Sequence, residues 1–283
     1  MSASPGLAET PTRRSAAEAL PQRPRRKGLW LAVAVLTAFV VVVPNGVQIW
    51  GRLIRQTYRS QIMSSAHPIT ALVVEVGAGD VEVTAGPAGQ VTVKQTLKWA
   101  LNKPHVEQRW DGTTLRLRAA CGSGSPLFSS LECGVGLDVQ VPAGVALQAT
   151  SSSGTVGAHG LTGAVRLQTT SGVVSMERLA GPVWVRASSG AIKSTDLRSS
   201  QVDAQLSSGA MTLAFQEAPR DVRARASSGS ITIMVPRGQR YRVTGGSSFT
   251  GVGVSPGLRD DASDHHIDVH ASSGSTVVGY SEP

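Results

Sequence analysis

The chain has 283 residues, 41% of them hydrophobic but only 4% aromatic, with 31 glycines. Such a composition excludes a disordered polar chain and asks for a folded core of Val, Ala, Leu and Ile, a mixture that favours strands over helices. The net charge of +8 excludes little until it is divided along the chain: residues 1–28 hold six basic against two acidic residues, half of the whole surplus. A nucleic-acid groove would concentrate that charge on the folded part, so no nucleic-acid partner is expected.

Residues 1–28, rich in Pro, Ala, Ser and Arg and without apolar periodicity, read as a disordered basic tail. Residues 29–50, "LWLAVAVLTAFVVVVPNGVQIW", carry no charged side chain and are long enough to cross about 30 Å of hydrocarbon as a helix. Trp30 and Trp50 bracket this span and "RPRRK" precedes it, which predicts a single-pass anchor with a cytoplasmic N-terminus. No small-x-small site follows the run, so a cleaved signal peptide fits less well. Residues 51–68 read as a juxtamembrane linker, and residues 69–283 as an extracytoplasmic domain. Cys121 and Cys133, the only cysteines, lie in that domain and are expected to form a disulfide, because a lone nearby pair outside the cytoplasm is a poor metal site.

The domain is dominated by a repeated small polar corner. "ASSGS" occurs twice and "TSSSGT", "TTSGV", "ASSGA" and "LSSGA" are its variants. Aligning on the corner glycines gives Gly154, Gly172, Gly190, Gly209, Gly229, a degenerate Gly251 and Gly274, spaced by 18 to 23 residues. A flexible Gly/Ser linker has no such period; a solenoid does.

The residues seven, five and three before each glycine, such as Val165, Leu167 and Thr169 or Val202, Ala204 and Leu206, share one strand face, and those two and four after it, such as Met211 and Leu213, share another. Each coil therefore reads as strand, Ser-Ser-Gly corner, strand and loop back, and the coils must stack to bury their apolar faces. Glycine supplies the positive φ of the corner, and the hydroxyls of Ser188, Ser207 and Ser227 are expected to satisfy corner backbone groups. "LVVEVGAGDVEVTAG" fits the same frame around Gly79, so the solenoid begins near Ile69. Residues 85–141 interrupt the period. They contain a predicted hairpin at Asp111-Gly112 and read as an expanded coil or lateral sheet capping one end.

The recurrent "V-x-V-x-[AT]-[ST]-S-G-x-[VI]-x-[VL]", with "VPAG" at 141–144 and "VPRGQRYRV" at 235–243, resembles the bacterial β-strand-repeat domains of unknown function that are classed as adhesin-like. The resemblance spans residues 69–280 and implies an all-β stacked solenoid with a surface location and no catalytic residues to carry over. Two departures stand out: the corner at 247–251 reads "SSFTG", and Val, Ala, Ser or Thr follows the corner glycine where many relatives have Asp.

No enzyme is expected. The outward positions of the first strand are Arg166, Gln168; Trp184, Arg186; Asp203, Gln205; Arg223, Arg225; and Asp268, His270, in which acids never neighbour acids, whereas β-helical lyases and hydrolases need clustered carboxylates. No nucleophile elbow or phosphate loop occurs, and no cofactor is expected. The most metal-like stretch, "DDASDHHIDVH", places His266, Asp268 and His270 on one strand face; a solvated strand is the simpler reading, and no metal is expected there either.

The one place with the composition of a binding surface is Trp184 with Arg166, Arg186, Arg223 and Arg225, on the same predicted sheet. Either the expanded region covers this tryptophan or it meets a ligand such as an anionic wall polymer, a glycan or an envelope protein. Two functions remain in view: an adhesin-like or envelope-binding scaffold, and the ectodomain of an envelope-stress sensor or regulator.

Overall fold

The computed structural model describes residues 32–40, 42, 56–64, 68–99, 103–121, 133–247 and 252–281. The chain divides into two units, residues 1–48 and 49–283. In the first, residues 32–40 are helical and exposed, with the Thr37 hydroxyl donating to the Val33 carbonyl at 2.7 Å. The rest of the expected 29–50 span, apart from Val42, lies outside the described residues, as does the expected tail at 1–28. Among the described residues no helix is long and apolar enough to cross a membrane.

The second unit is all β. Its strands are β1 (Gln56–Ser64), β2 (Ala71–Gly86), β3 (Val91–Trp99), β4 (His105–Asp111), β5 (Thr114–Ala120), β6 (Gly134–Pro142), β7 (Ala146–His159), β8 (Val165–Glu177), β9 (Val183–Leu197), β10 (Gln201–Phe215), β11 (Asp221–Val235), β12 (Arg242–Ser247), β13 (Gly253–Val254), β14 (His266–Ser273) and β15 (Thr276–Tyr280). The five strands β7 to β11 pair in chain order, all parallel. Each coil is one bent strand of 13 to 15 residues whose ladder continues through the corner, in place of the two separate strands expected.

Alternation on both arms of the bend fills the core. Val165, Leu167, Val183, Val185, Val202, Ala204, Leu206, Val222 and Ala224 from the first arm, and Val174, Met176, Ile192, Met211, Leu213, Ile231 and Ile233 from the second, are all buried. Return loops stack as well: Leu161 and Leu179 are buried, and the amide of Ala180 donates to the Leu161 carbonyl at 2.9 Å.

The corner glycines are forced by two separate constraints. Gly190 and Gly209 have φ of 118° and 131°, and a Cβ at either would lie 1.9 Å from the carbonyl oxygen of the corner glycine one coil earlier. The same approach recurs at Gly154, Gly172, Gly229 and Gly274, and at Gly79 beneath the Val135 carbonyl, so the corners form one column of backbone against backbone. The serine hydroxyls have less to do than expected. Ser188, Ser207 and Ser227 are exposed, and it is Ser151 whose hydroxyl bonds a corner, donating to the Ser153 carbonyl at 2.9 Å.

Both ends depart from sequential stacking. At the N-terminal end β5 and β6 together make a coil that lies on the outer side of β2, although they follow it in the chain, while β7 takes the inner side. A disulfide between Cys121, just after β5, and Cys133, just before β6, joins the two strands of this outer coil, with Cα atoms 6.0 Å apart. Against the outer coil, β4 pairs antiparallel with β5 through the expected Asp111-Gly112 hairpin, and β3 pairs antiparallel with β6. The region 85–141 is thus both an expanded coil and a lateral sheet. Strand β1, in the stretch expected to be a linker, extends that sheet by pairing with β3.

At the C-terminal end the last coil, β14 with β15, pairs directly with β11 and carries β12 and β13 on its other side. Gly274 therefore sits on Gly229. This corrects the expected succession Gly229, Gly251, Gly274; Gly251 itself lies outside the described residues.

Candidate ligand-binding face

The first arms of β7 to β11 and β14 present their polar side chains in rows across the coils. One row is Gln148, Arg166, Trp184, Asp203, Arg223 and Asp268; the next is Thr150, Gln168, Arg186, Gln205, Arg225 and His270. Alternation of the strand dictates that these residues point away from the core, and the parallel register of the ladders lines them up.

Trp184 is half-buried, with the guanidinium carbons of Arg166 and Arg186 at 4.9 and 4.8 Å from its ring centroid. Among the described residues it is those two arginines that stack against the indole. The ring faces an open cleft of about 650 Å³ that runs across the coils between Val73 and Arg223, with Ala146, Ala164 and Pro182 among its small lining residues.

The remaining predicted arginines are brought into the same face but already have partners. Arg223 Nη2 lies 3.0 Å from Asp221, and Arg225 Nη2 lies 3.3 Å from Asp268. Arg186 Nη2 donates to the Gln205 Oε1 at 2.8 Å, and Gln205 in turn donates to Asp203 at 3.2 Å. Among the described residues neither Arg166 nor Arg186 makes an ion pair, so their charges are less compensated than those of Arg223 and Arg225.

His266, Asp268 and His270 do not converge. His266 Nε2 lies 2.9 Å from the Thr244 hydroxyl and Asp268 is held by Arg225 and Thr244, while His270 is exposed at the end of the second row. No group of three acids, histidines or cysteines among the described residues has a metal-binding arrangement.

One cluster was missed in the sequence. On the opposite arm His159 of β7 lies between two carboxylates, touching Glu82 of β2 through Nε2 and Glu177 of β8 through Nδ1 at 3.0 Å. Glu177 also contacts Arg178. The hydrogen bond to Glu82 raises the His159 pKa above its ordinary value of 6.5, against the opposing effect of burial. His159 and Glu177 are 18 residues apart, one coil length, and pairing charges at the coil period would have found them.

No curated protein matches the chain. Among solved structures it is similar to a candidate cell adhesion protein from Clostridium sporogenes ATCC 15579, at 9% identity over 79% of this chain and 100% of that one, with a TM-score of 0.36. It is also similar to a candidate adhesin from Bacteroides fragilis NCTC 9343, at 10% identity over 78% and 97% of the two chains and a TM-score of 0.32. A candidate adhesin from Parabacteroides merdae ATCC 43184 matches at 10% identity over 79% and 96%, with a TM-score of 0.31. Residues 140–278, which hold the sequentially stacked strands β7 to β11, β12 to β14 and most of β15, match the family model Toastrack DUF4097, and the chain carries a Toastrack DUF4097 domain.

Proposed function

We propose that this protein is a non-catalytic binding scaffold, anchored by residues 29–50 with its N-terminus in the cytoplasm and its β-solenoid on the outer side of the membrane, where it holds an envelope component. The observation that carries the reading is the cleft beside Trp184, where an indole is set between two guanidinium groups. Aromatic and arginine side chains together are the usual composition of a contact hot spot. A non-catalytic role is supported by the partners of the two acids that line the cleft: Asp203 accepts from Gln205, and Asp221 pairs with Arg223. The charge step across residues 23–50 supports the orientation.

The test uses the full-length chain in lipid nanodiscs, mixed with isolated cell walls. Retention of the wild type and loss of retention in Trp184→Ala, with unchanged thermal stability, is the expected result. Equal retention of both proteins removes the cleft from the function. Protease added to intact cells is expected to cut beyond about residue 51 and spare the tail; cleavage at Arg13 from outside reverses the topology.

A further inference from the structure

Resting on the reading of this face as a binding surface, we propose that Arg186, Gln205, Arg225 and His270 form a track for an anionic polysaccharide that lies along the solenoid axis and carries an acidic group on every second sugar. The four residues share one register position on β9, β10, β11 and β14. They line a second open cavity, of about 470 Å³, with the corner hydroxyls of Ser207, Ser227 and Ser272 beside them. No acidic side chain lines this cavity, whereas Asp203 and Asp221 line the cleft beside Trp184.

The spacing selects the ligand. Paired strands lie about 4.8 Å apart, so Arg186 and Arg225, two coils from each other, stand about 10 Å apart with a neutral amide between them. An extended pyranose chain advances by close to one strand spacing per sugar. A cation on every second rung thus meets an acid on every second sugar, and the amide of Gln205 and the serine hydroxyls meet the hydroxyls of the neutral sugar between.

The arginine forks suit planar carboxylates, which they hold through two parallel hydrogen bonds. Each is already oriented by one contact, Arg186 to Gln205 and Arg225 to Asp268, and each keeps further N–H groups for a ligand. This arrangement also gives the exposed serines Ser207, Ser227 and Ser272 a role that the corner itself does not require. A polymer with a phosphate at every unit would set an anion against Gln205, where no cation waits.

The full-length chain in nanodiscs is titrated calorimetrically, at one fixed ionic strength, with hyaluronan oligosaccharides longer than the track. Hyaluronan serves as a probe because uronate alternates in it with a neutral amino sugar. Chitin oligosaccharides and poly(glycerol phosphate) are the comparisons. Hyaluronan is expected to bind and chitin oligosaccharides are not; Arg186→Gln and Arg225→Gln should each weaken binding about tenfold. Lys193→Gln, on the other arm of the coil, should leave the affinity unchanged.

An equal loss in Lys193→Gln reduces the effect to general charge attraction and overturns the proposal, as does tighter binding of poly(glycerol phosphate). All the substituted residues point away from the core, and matching circular dichroism spectra and melting curves establish that the variants fold. Should cell walls retain the wild type but not Trp184→Ala while hyaluronan fails to bind, this inference falls and the binding reading stands; should walls retain neither, the binding reading falls, whatever hyaluronan does.

Discussion

Between β7 and β11 every coil lies on the one before it, and the contacts join residues 18 to 20 positions apart. At both ends the order in space departs from the order in the chain. The outer N-terminal coil, β5 with β6, is made after the coil it covers, and the final coil, β14 with β15, is wedged between β11 and β12. Contacts there are long: Thr155 bonds Asp80 across 75 positions, and Ser281 bonds Val235 across 46. A sequential solenoid can fray from its tip one coil at a time, because each repeat depends only on its neighbours. Here the last coil of the chain is held by ladders on both sides, so the tip cannot peel away in chain order. The middle relies on uniform local stacking, and the ends rely on closure at a distance.

The middle breaks most readily at a corner. Gly209→Ala places a Cβ 1.9 Å from the Gly190 carbonyl, a backbone atom fixed by the rest of the column. Chemical denaturation should show a loss greater than the roughly 1–3 kcal/mol of a strained φ alone. Gly112→Ala, also at positive φ but with nothing within 4 Å of its Cβ, should stay within about 1 kcal/mol. Ser189→Ala, at an exposed hydroxyl, should change less still. Equal losses at Gly209 and Gly112 would show that the φ, and not the stacked carbonyl, governs the corner.

The N-terminal end is tested through its disulfide. Replacing both Cys121 and Cys133 by Ser reopens the unfolded chain across 12 positions and should lower stability by about 3 kcal/mol. Hydrogen exchange should quicken in β5 and β6 while β9 and β10 stay protected in local opening. Uniform quickening would mean that the end and the middle are one cooperative unit.

A smaller effect than the loss of the disulfide concerns the seam between them. His159 links Glu82 on the first coil to Glu177 on β8, and its pKa is raised above 6.5, chiefly by the hydrogen bond to Glu82. A raised pKa means that the contribution to stability is complete below the unfolded value of 6.5 and disappears as pH rises through the folded value. Because both carboxylates keep contact with water, the contribution should be on the order of 1 kcal/mol. His159→Gln should flatten the pH dependence of stability in that window; an unchanged profile assigns it to another group.

The apolar positions counted back and forward from the corner glycines are the positions the structure buries, from Val165 and Leu167 to Ile231 and Ile233. They were readable because a strand alternates with period two and each corner resets the frame. The two permuted ends were not readable. The arms of β12 and β14 both offer apolar inward residues, Tyr241 and Val243 or Ile267 and Val269, so alternation by itself does not say which of them lies on β11. For the same reason the region 85–141 could be placed at an end but not on a particular side of β2.

The binding face divides in the same way. Trp184 and its arginines were visible as outward residues of a rare type, and the register that sets Arg166 and Arg186 against the indole followed from coils of nearly equal length. The alternation of Arg186, Gln205, Arg225 and His270 also lay in the sequence, but His270 joins the row only because the last coil lies directly on β11. What the sequence by itself determined is the coil: its two arms, its corner and its inward residues, all set by the sterics of a few consecutive residues. What the tertiary structure alone decided is the order of the coils and the partners of each polar side chain, because those depend on which of many equivalent ladders closes, and that choice is made by the whole stack at once.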